Sequence, residues 1–222
     1  MSENAQELQR IYRQRFAATA AYRNQVWQVL TAVFFNRWIP AKAAVLDLGC
    51  GYGEFINNVT AGQKYAMDMN PDAPKHLATA VHFFEQDCSV TWPLPENSLD
   101  TVFTSNFFEH LPDKQCLKQT LRQAFRCLKP GGRLIAMGPN IKYLPGQYWD
   151  FFDHHTILTE ASLGEVLEME GFGLEQVTAR FLPYTLVNAP AYPLLFLRLY
   201  LAMPWLWWLK GRQFLVVAVK PR

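Results

Sequence analysis

The chain has 222 residues, 50% of them hydrophobic, and a formal net charge of +2. That length holds one well-packed domain with room for an appended piece, and the apolar fraction excludes disorder as the overall state. So small a net charge argues against a strongly electrostatic partner such as nucleic acid.

Residues 4–35 are predicted as helical. Leu8, Ile11 and Tyr12 recur at helical spacing, Val26, Trp27, Leu30 and Phe34 do so again, and Pro40 marks an end. From Ala43 short apolar runs alternate with helical segments, and the strand candidates are AVLDLG, KYAMDM, VHFFEQD, DTVFTSN and GRLIAMG. Between the last two, DKQCLKQTLRQAFRCL carries one apolar stripe, with Asp113 as expected N-cap and KPGG as stop. Strand–helix alternation implies an α/β fold with a parallel sheet covered on both faces. Ligands of such sheets sit at the carboxyl ends of the strands. Cys50, Cys88, Cys116 and Cys127 show no CxxC spacing, which suits a reduced intracellular protein; a zinc site is the lesser alternative, and no metal ligand is assigned. The opening MSENAQELQR has no apolar signal core, so a cytoplasmic protein is expected.

In VLDLGCGYGEF, Gly49, Gly51 and Gly53 follow the first strand candidate and precede a helix expected near Glu54. Glycines there allow a tight turn and close approach of backbone to a ligand. Nicotinamide- and nucleoside-binding folds both use such loops, and some are merely turns. Asp68 ends the next strand, roughly twenty residues past Asp47, the spacing at which a carboxylate accepts from ribose hydroxyls. An exposed acid capping the next helix is the alternative. A carboxylate in that place disfavours a phosphorylated ribose. The G-x-G-x-G spacing also departs from the dinucleotide fingerprint G-x-G-x-x-G. A third strand ending in an acid, then a Pro-rich loop, another strand and Asn106, suits an adenosine with a small amino-acid tail.

With those motifs in order, the sequence resembles the class I S-adenosylmethionine-dependent methyltransferases. VLDLGCGYGEF looks like their first motif and MDMNPD like the acidic second one. EQDCSVTWPLPENSLDTVFTSNFFEHL resembles the adenine-binding acid, its loop and the fourth strand, and AFRCLKPGGRLIAMGPN the turn and fifth strand. The match covers residues 43–140, with LTEASLGEVLEMEGF as a fainter continuation. The resemblance implies a Rossmann-like, doubly wound seven-stranded sheet with a reversed last strand, which segments 174–180 and 214–220 would complete. It implies one methyltransferase domain over residues 1–222: a helical lid (1–40), a cofactor-binding core (41–140) and a hydrophobic helical insert before the last strand (181–212). Carried over, Gly49, Gly51 and Gly53 would line the methionine and ribose of S-adenosylmethionine, and Asp47 would face its amino group. Asp68 would hold the ribose, and Met69, expected to be partly core, would pack beside the adenine. Asp87 would accept from the exocyclic amine, the Cys88 N–H would lie near the ring, and Asn106 beside the methionine. Arg23 is expected to approach the methionine carboxylate from the lid, a solvated arginine being the alternative.

If the acceptor is a hydroxyl, a base must take its proton, and histidine suits that near neutral pH. His110 follows the fourth strand. His154 and His155 follow the fifth, with Asp150 and Asp153 near enough in sequence to orient a ring. His155 is placed ahead of His110 on that ground. Capping or loop roles are the alternatives, and Glu109 is a poorer base unless buried. No Asn/Asp-Pro-Pro-aromatic signature occurs, which further disfavours a nucleic-acid substrate and leaves a small-molecule acceptor. In the insert, Pro190, Pro193 and Pro204 break the apolar run and Arg198 interrupts it, so no spanning helix is expected. A lid or homodimer contact is the first reading and peripheral membrane contact the second. The expected activity is O-methylation of a small hydroxylated, glycan-precursor or lipid-precursor molecule. A nicotinamide-dependent oxidoreductase, without a matching Tyr-x-x-x-Lys, and a non-catalytic cofactor-binding scaffold are the alternatives.

Overall fold

A computed structural model describes residues 10, 19–184 and 191–222. Leu8, Ile11 and Tyr12, much of the expected lid, and residues 185–190 of the insert lie outside the described residues. In chain order the main elements are α1 (Ala20–Val29), β1 (Ala44–Leu48), α2 (Glu54–Asn58), β2 (Gln63–Asp68), β3 (Val81–Glu85), β4 (Leu99–Ser105), α3 (Lys114–Cys127) and β5 (Leu128–Pro139). Then come α4 (Glu160–Met169), β6 (Gly173–Thr178), α5 (Leu194–Ala202), α6 (Pro204–Lys210) and β7 (Gln213–Val219). The seven strands form one sheet in the order β3-β2-β1-β4-β5-β7-β6, and β7 runs antiparallel to β5 and β6. All strand candidates and the reversed last strand therefore appear as expected.

The chain divides into two compact units. Of the described residues, those up to Asp87 with 191–204 belong to one; Cys88–Tyr184 with Trp205–Arg222 form the other. In the first, β1 is buried at all five positions, the mark of a strand covered on both faces. It pairs in parallel with β2 (Asp47 opposite Ala66), which pairs in parallel with β3. α1 widens into a π-helical turn, Leu30–Phe34, then tightens into a 3₁₀ turn, Phe35–Arg37. Arg37 closes this end: its Nε donates to the Phe34 carbonyl at 2.8 Å and its guanidinium lies 3.7 Å from the Phe34 ring centroid.

In the second unit, β4 and β5 pair in parallel and β6–β7 form the antiparallel end. α3 starts where the sequence placed it: the Asp113 carboxylate accepts from the Cys116 N–H at 2.8 Å. Its stripe Leu117, Leu121 and Ala124 is buried. α4 opens with a reciprocal capping box between Thr159 and Ser162.

Candidate functional site

In the first unit, the carboxyl end of β1 runs into the glycine loop. Gly49, Gly51 and Gly53 have φ of 68°, 54° and 75°, the left-handed region that side chains disfavour. A Cβ on Gly53 would also come within 2.3 Å of Leu77 Cδ2. The Gly49 N–H donates to the Met67 carbonyl at 2.9 Å, and the Gly51 N–H to Asp68 Oδ2 at 2.8 Å. The other Asp68 oxygen accepts from the Asn70 N–H at 2.8 Å. Asp68 thus braces the loop against β2.

Asp47 is buried beneath the loop. Burial pushes its carboxyl well above the ordinary value, the charges of Glu54 and Asp68 add to this, and the Ile56 N–H opposes it. Arg23 on α1 pairs with Glu54 of α2, Nη2 to Oε1 at 3.0 Å, so its guanidinium stands at the first turn after the loop. Asn24 and Asn58 link the same two helices at 2.7 Å. Met69 is 38% exposed, which corrects the expectation that it is partly core: it lies past the end of β2, where the sheet no longer covers it. Asp87 is also exposed. The Tyr52–His76 stack, with centroids 3.9 Å apart, was not anticipated, because only the fold brings His76 to the loop.

In the second unit, the carboxyl end of β4 leads into a polar cluster. Asn106 has φ of 49°, rare for a residue with a side chain and worth about 1–2 kcal/mol of strain. The 3₁₀ turn Phe108–His110 then sets Glu109 inward and leaves the His110 side chain 28% exposed. Glu109 is 3% exposed, and burial pushes its carboxyl up to about 7, with His110 opposing and Asp153 adding. Gly138 on β5 packs beside it: a Cβ there would be in ordinary contact with Glu109 Oε2 at 3.5 Å and would press on the Phe214 ring at 3.0 Å.

His110 Nδ1 lies 3.0 Å from the Asp153 carbonyl oxygen and 3.2 Å from Asp153 Oδ2. Nδ1–H therefore donates to Asp153, which leaves the ring's lone pair on Nε2 in the neutral form. Burial lowers the His110 pKa, but the Asp153 bond and the charges of Glu109 and Asp153 outweigh it, and the net displacement is upward. His154 is buried, with Nδ1 at 2.9 Å from the Tyr148 carbonyl and its ring centroid 5.0 Å from that of His110. One ligating atom from each of Glu109, His110 and His154 lies within 4.8 Å of the others.

Backbone bonds hold the cluster: the Glu109 carbonyl accepts from the His155 N–H at 2.8 Å and the Thr156 N–H at 3.0 Å. The His155 side chain itself is exposed, as is Asp150. The expected orientation of His155 by Asp153 is therefore corrected: Asp153 lies against His110 from a turn at 152–153, while the His155 side chain is exposed. Nor do the two histidines cap α4, since Thr159 does so. Cys88 is buried with Sγ 3.2 Å from Thr120 Oγ1, and its carbonyl accepts from Trp92 Nε1 at 2.8 Å.

A family model described as a methyltransferase domain matches residues 16–177. A "probable S-adenosylmethionine-dependent methyltransferase" of Mycolicibacterium smegmatis is 29% identical over 143 residues, 62% of this chain and 54% of that protein. The 27-O-demethylrifamycin SV methyltransferase of Amycolatopsis mediterranei is 30% identical over 109 residues, 43% of this chain and 39% of that protein. The chain spans about half the length, or less, of these curated relatives. Among solved structures, an S-adenosylmethionine-dependent methyltransferase from Archaeoglobus fulgidus superposes with TM-score 0.68 at 20% identity, over 92% of this chain and 99% of that one. At that identity the likeness concerns the fold alone.

Proposed function

The chain belongs to the class I S-adenosylmethionine-dependent methyltransferase family, and from that premise we propose that it moves the methyl group of S-adenosylmethionine to a hydroxyl of a small, largely apolar acceptor. The cofactor half of the reading rests on the left-handed loop of Gly49, Gly51 and Gly53, the carboxylates Asp47 and Asp68 beside it, and the exposed Met69 and Asp87. Asn106 and the Cys88 backbone keep the roles the motifs suggest. Arg23 reaches the methionine carboxylate only by sharing its guanidinium with Glu54. Binding in the micromolar range, roughly −8 kcal/mol, is expected.

The observation that carries the hydroxyl assignment is the His110–Asp153 pair with Glu109 buried beside it. The sulfonium already activates the methyl carbon; the protein must align an oxygen with it and take up the proton. In this reading His110 is the catalytic base and Asp153 a positioning residue. As the O–CH₃ bond forms and the S–CH₃ bond breaks, the hydroxyl proton passes to His110 Nε2, and neutral S-adenosylhomocysteine leaves. The Amycolatopsis relative, a 27-O-demethylrifamycin SV methyltransferase, supports the same atom. The exposed apolar insert supports an apolar acceptor, lipid precursors included. His155, exposed and apart from Asp153, keeps a secondary place.

The test is a panel of phenols, polyketides and polyprenyl-linked glycans offered with S-adenosylmethionine, with S-adenosylhomocysteine measured as product. Turnover of a hydroxylated member that fails with its methyl ether supports the reading. Turnover only of amines would sink it.

A further inference from the structure

Residues 191–212 expose more apolar surface than the fold uses. α5 buries Leu201 and leaves Leu195, Phe196 and Leu199 exposed at 62, 59 and 45%. α6 follows after Met203 and buries Trp207, whose ring stands edge-on to Phe181 at 5.0 Å. Its Trp205, Trp208 and Leu209 are exposed at 64, 71 and 51%. Each helix thus fully buries one large side chain, half-buries others (Leu194, Leu197 and Tyr200; Leu206) and turns the rest outward. Isolated exposed apolar residues need no explanation, but a run of this size marks an interaction surface.

The charge of the same stretch selects the partner. Arg198, Lys210 and Arg212 are its only charged side chains, and no Asp or Glu occurs after Glu175. Arg180, its guanidinium 5.7 Å from the Trp208 ring, adds a further positive charge. A second copy joined through this face would set like charges against one another. A surface of anionic lipid would complement them. Tryptophan favours the layer between headgroups and acyl chains. Spanning is excluded by length: α5 has 9 residues, about 14 Å at helical rise against a core of about 30 Å. No described helix is long and apolar enough to cross a membrane.

We propose that α5 and α6, each by its own exposed face, lie in the interfacial layer of a bilayer containing anionic lipids. The outward Leu, Phe and Trp side chains enter the acyl boundary, and Arg198, Lys210 and Arg212 lie among the headgroups. This surface would hold the protein where an apolar, membrane-dissolved acceptor resides.

The test sediments the full chain with vesicles of phosphatidylcholine plus phosphatidylglycerol, and with phosphatidylcholine alone. Partitioning onto the anionic vesicles is expected, about tenfold or more weaker on the neutral ones. Leu199→Glu with Trp205→Glu should reduce anionic binding by a further tenfold or so. Arg198→Gln with Lys210→Gln, which removes no apolar contact, should reduce it several-fold and narrow the difference between lipids, since Arg180 and Arg212 remain. S-adenosylmethionine binding, unchanged in each variant, is the check on folding. No partitioning onto anionic vesicles, or a stable dimer in sedimentation velocity that the Leu199 and Trp205 substitutions dissociate, would overturn the proposal. Because no methyl transfer is read, either result stands apart from the assignment of the acceptor atom.

Discussion

His110 sits between two carboxyl groups, and the sign of its titration follows from them. Its pKa is raised because the Asp153 bond and the two negative charges outweigh burial. A base must be neutral, so turnover should climb with pH through a midpoint above the ordinary imidazole value of about 6.5. Glu109, pushed up to about 7, titrates in the same range, so the midpoint belongs to the pair. Asp153→Asn removes both a bond and a charge and should move that midpoint down; a profile that stays in place would detach Asp153 from the base. His110→Ala should lower kcat about a hundredfold or more with cofactor affinity unchanged in calorimetry. Parent-level turnover in that variant would leave proximity to the sulfonium as the whole of catalysis. Asn106 and His110 were legible as candidates because they follow a strand end in a recognisable motif. Glu109 was not: its burial depends on the 3₁₀ turn that sets it inward and on the distant loop that bonds its carbonyl. Asp153 was seen but assigned to the wrong histidine, since adjacency in sequence says nothing of side-chain direction in a loop.

At the scale of elements, the glycine loop owes its shape to three left-handed residues. Gly53→Ala should cost about 1–2 kcal/mol for the backbone alone. The added methyl must also displace Leu77 Cδ2, which lies 2.3 Å from its place. A lower Tm and weaker S-adenosylmethionine binding are expected; affinity equal to the parent would show that the loop does not shape that site. α4 offers a pH-dependent test. Burial alone would raise the Glu160 carboxyl, but bonds from Lys142 and Asn140 outweigh it and hold it below its ordinary value. The folded pKa thus lies below the unfolded one, so this stability is complete above about 4.5 and disappears as pH falls through the folded value. Lys142 is 45% exposed, which limits the contribution to about 1 kcal/mol or less. Urea unfolding of Glu160→Gln should therefore show a deficit near neutral pH that closes in acid; a deficit constant with pH would assign it to packing. Strands β1 to β5 were legible from short apolar runs with turn residues between them, and α3 from its stripe and cap. The π-helical turn Leu30–Phe34 was not, because one wide turn leaves the helical spacing of apolar residues nearly intact.

At the scale of the whole molecule, the reversed β7 was expected only through the family resemblance. Its own residues, QFLVVAV, would serve a parallel or an antiparallel strand equally well. The insert was recognised as apolar and broken by proline, but not which side chains anchor it; Leu201 and Trp207 differ from their exposed neighbours only by helical phase. Sheet, glycine loop and acid–base cluster together make one claim, that a methyl group passes from a sulfonium to a hydroxyl oxygen. The most direct measurement is the position of an isotope-labelled methyl in the product, read by carbon NMR after incubation with labelled S-adenosylmethionine and an accepted substrate. The label should appear as a methoxyl carbon, at a rate that falls about a hundredfold in His110→Ala. Label on nitrogen or carbon, formed at the same rate by parent and variant, would contradict the account.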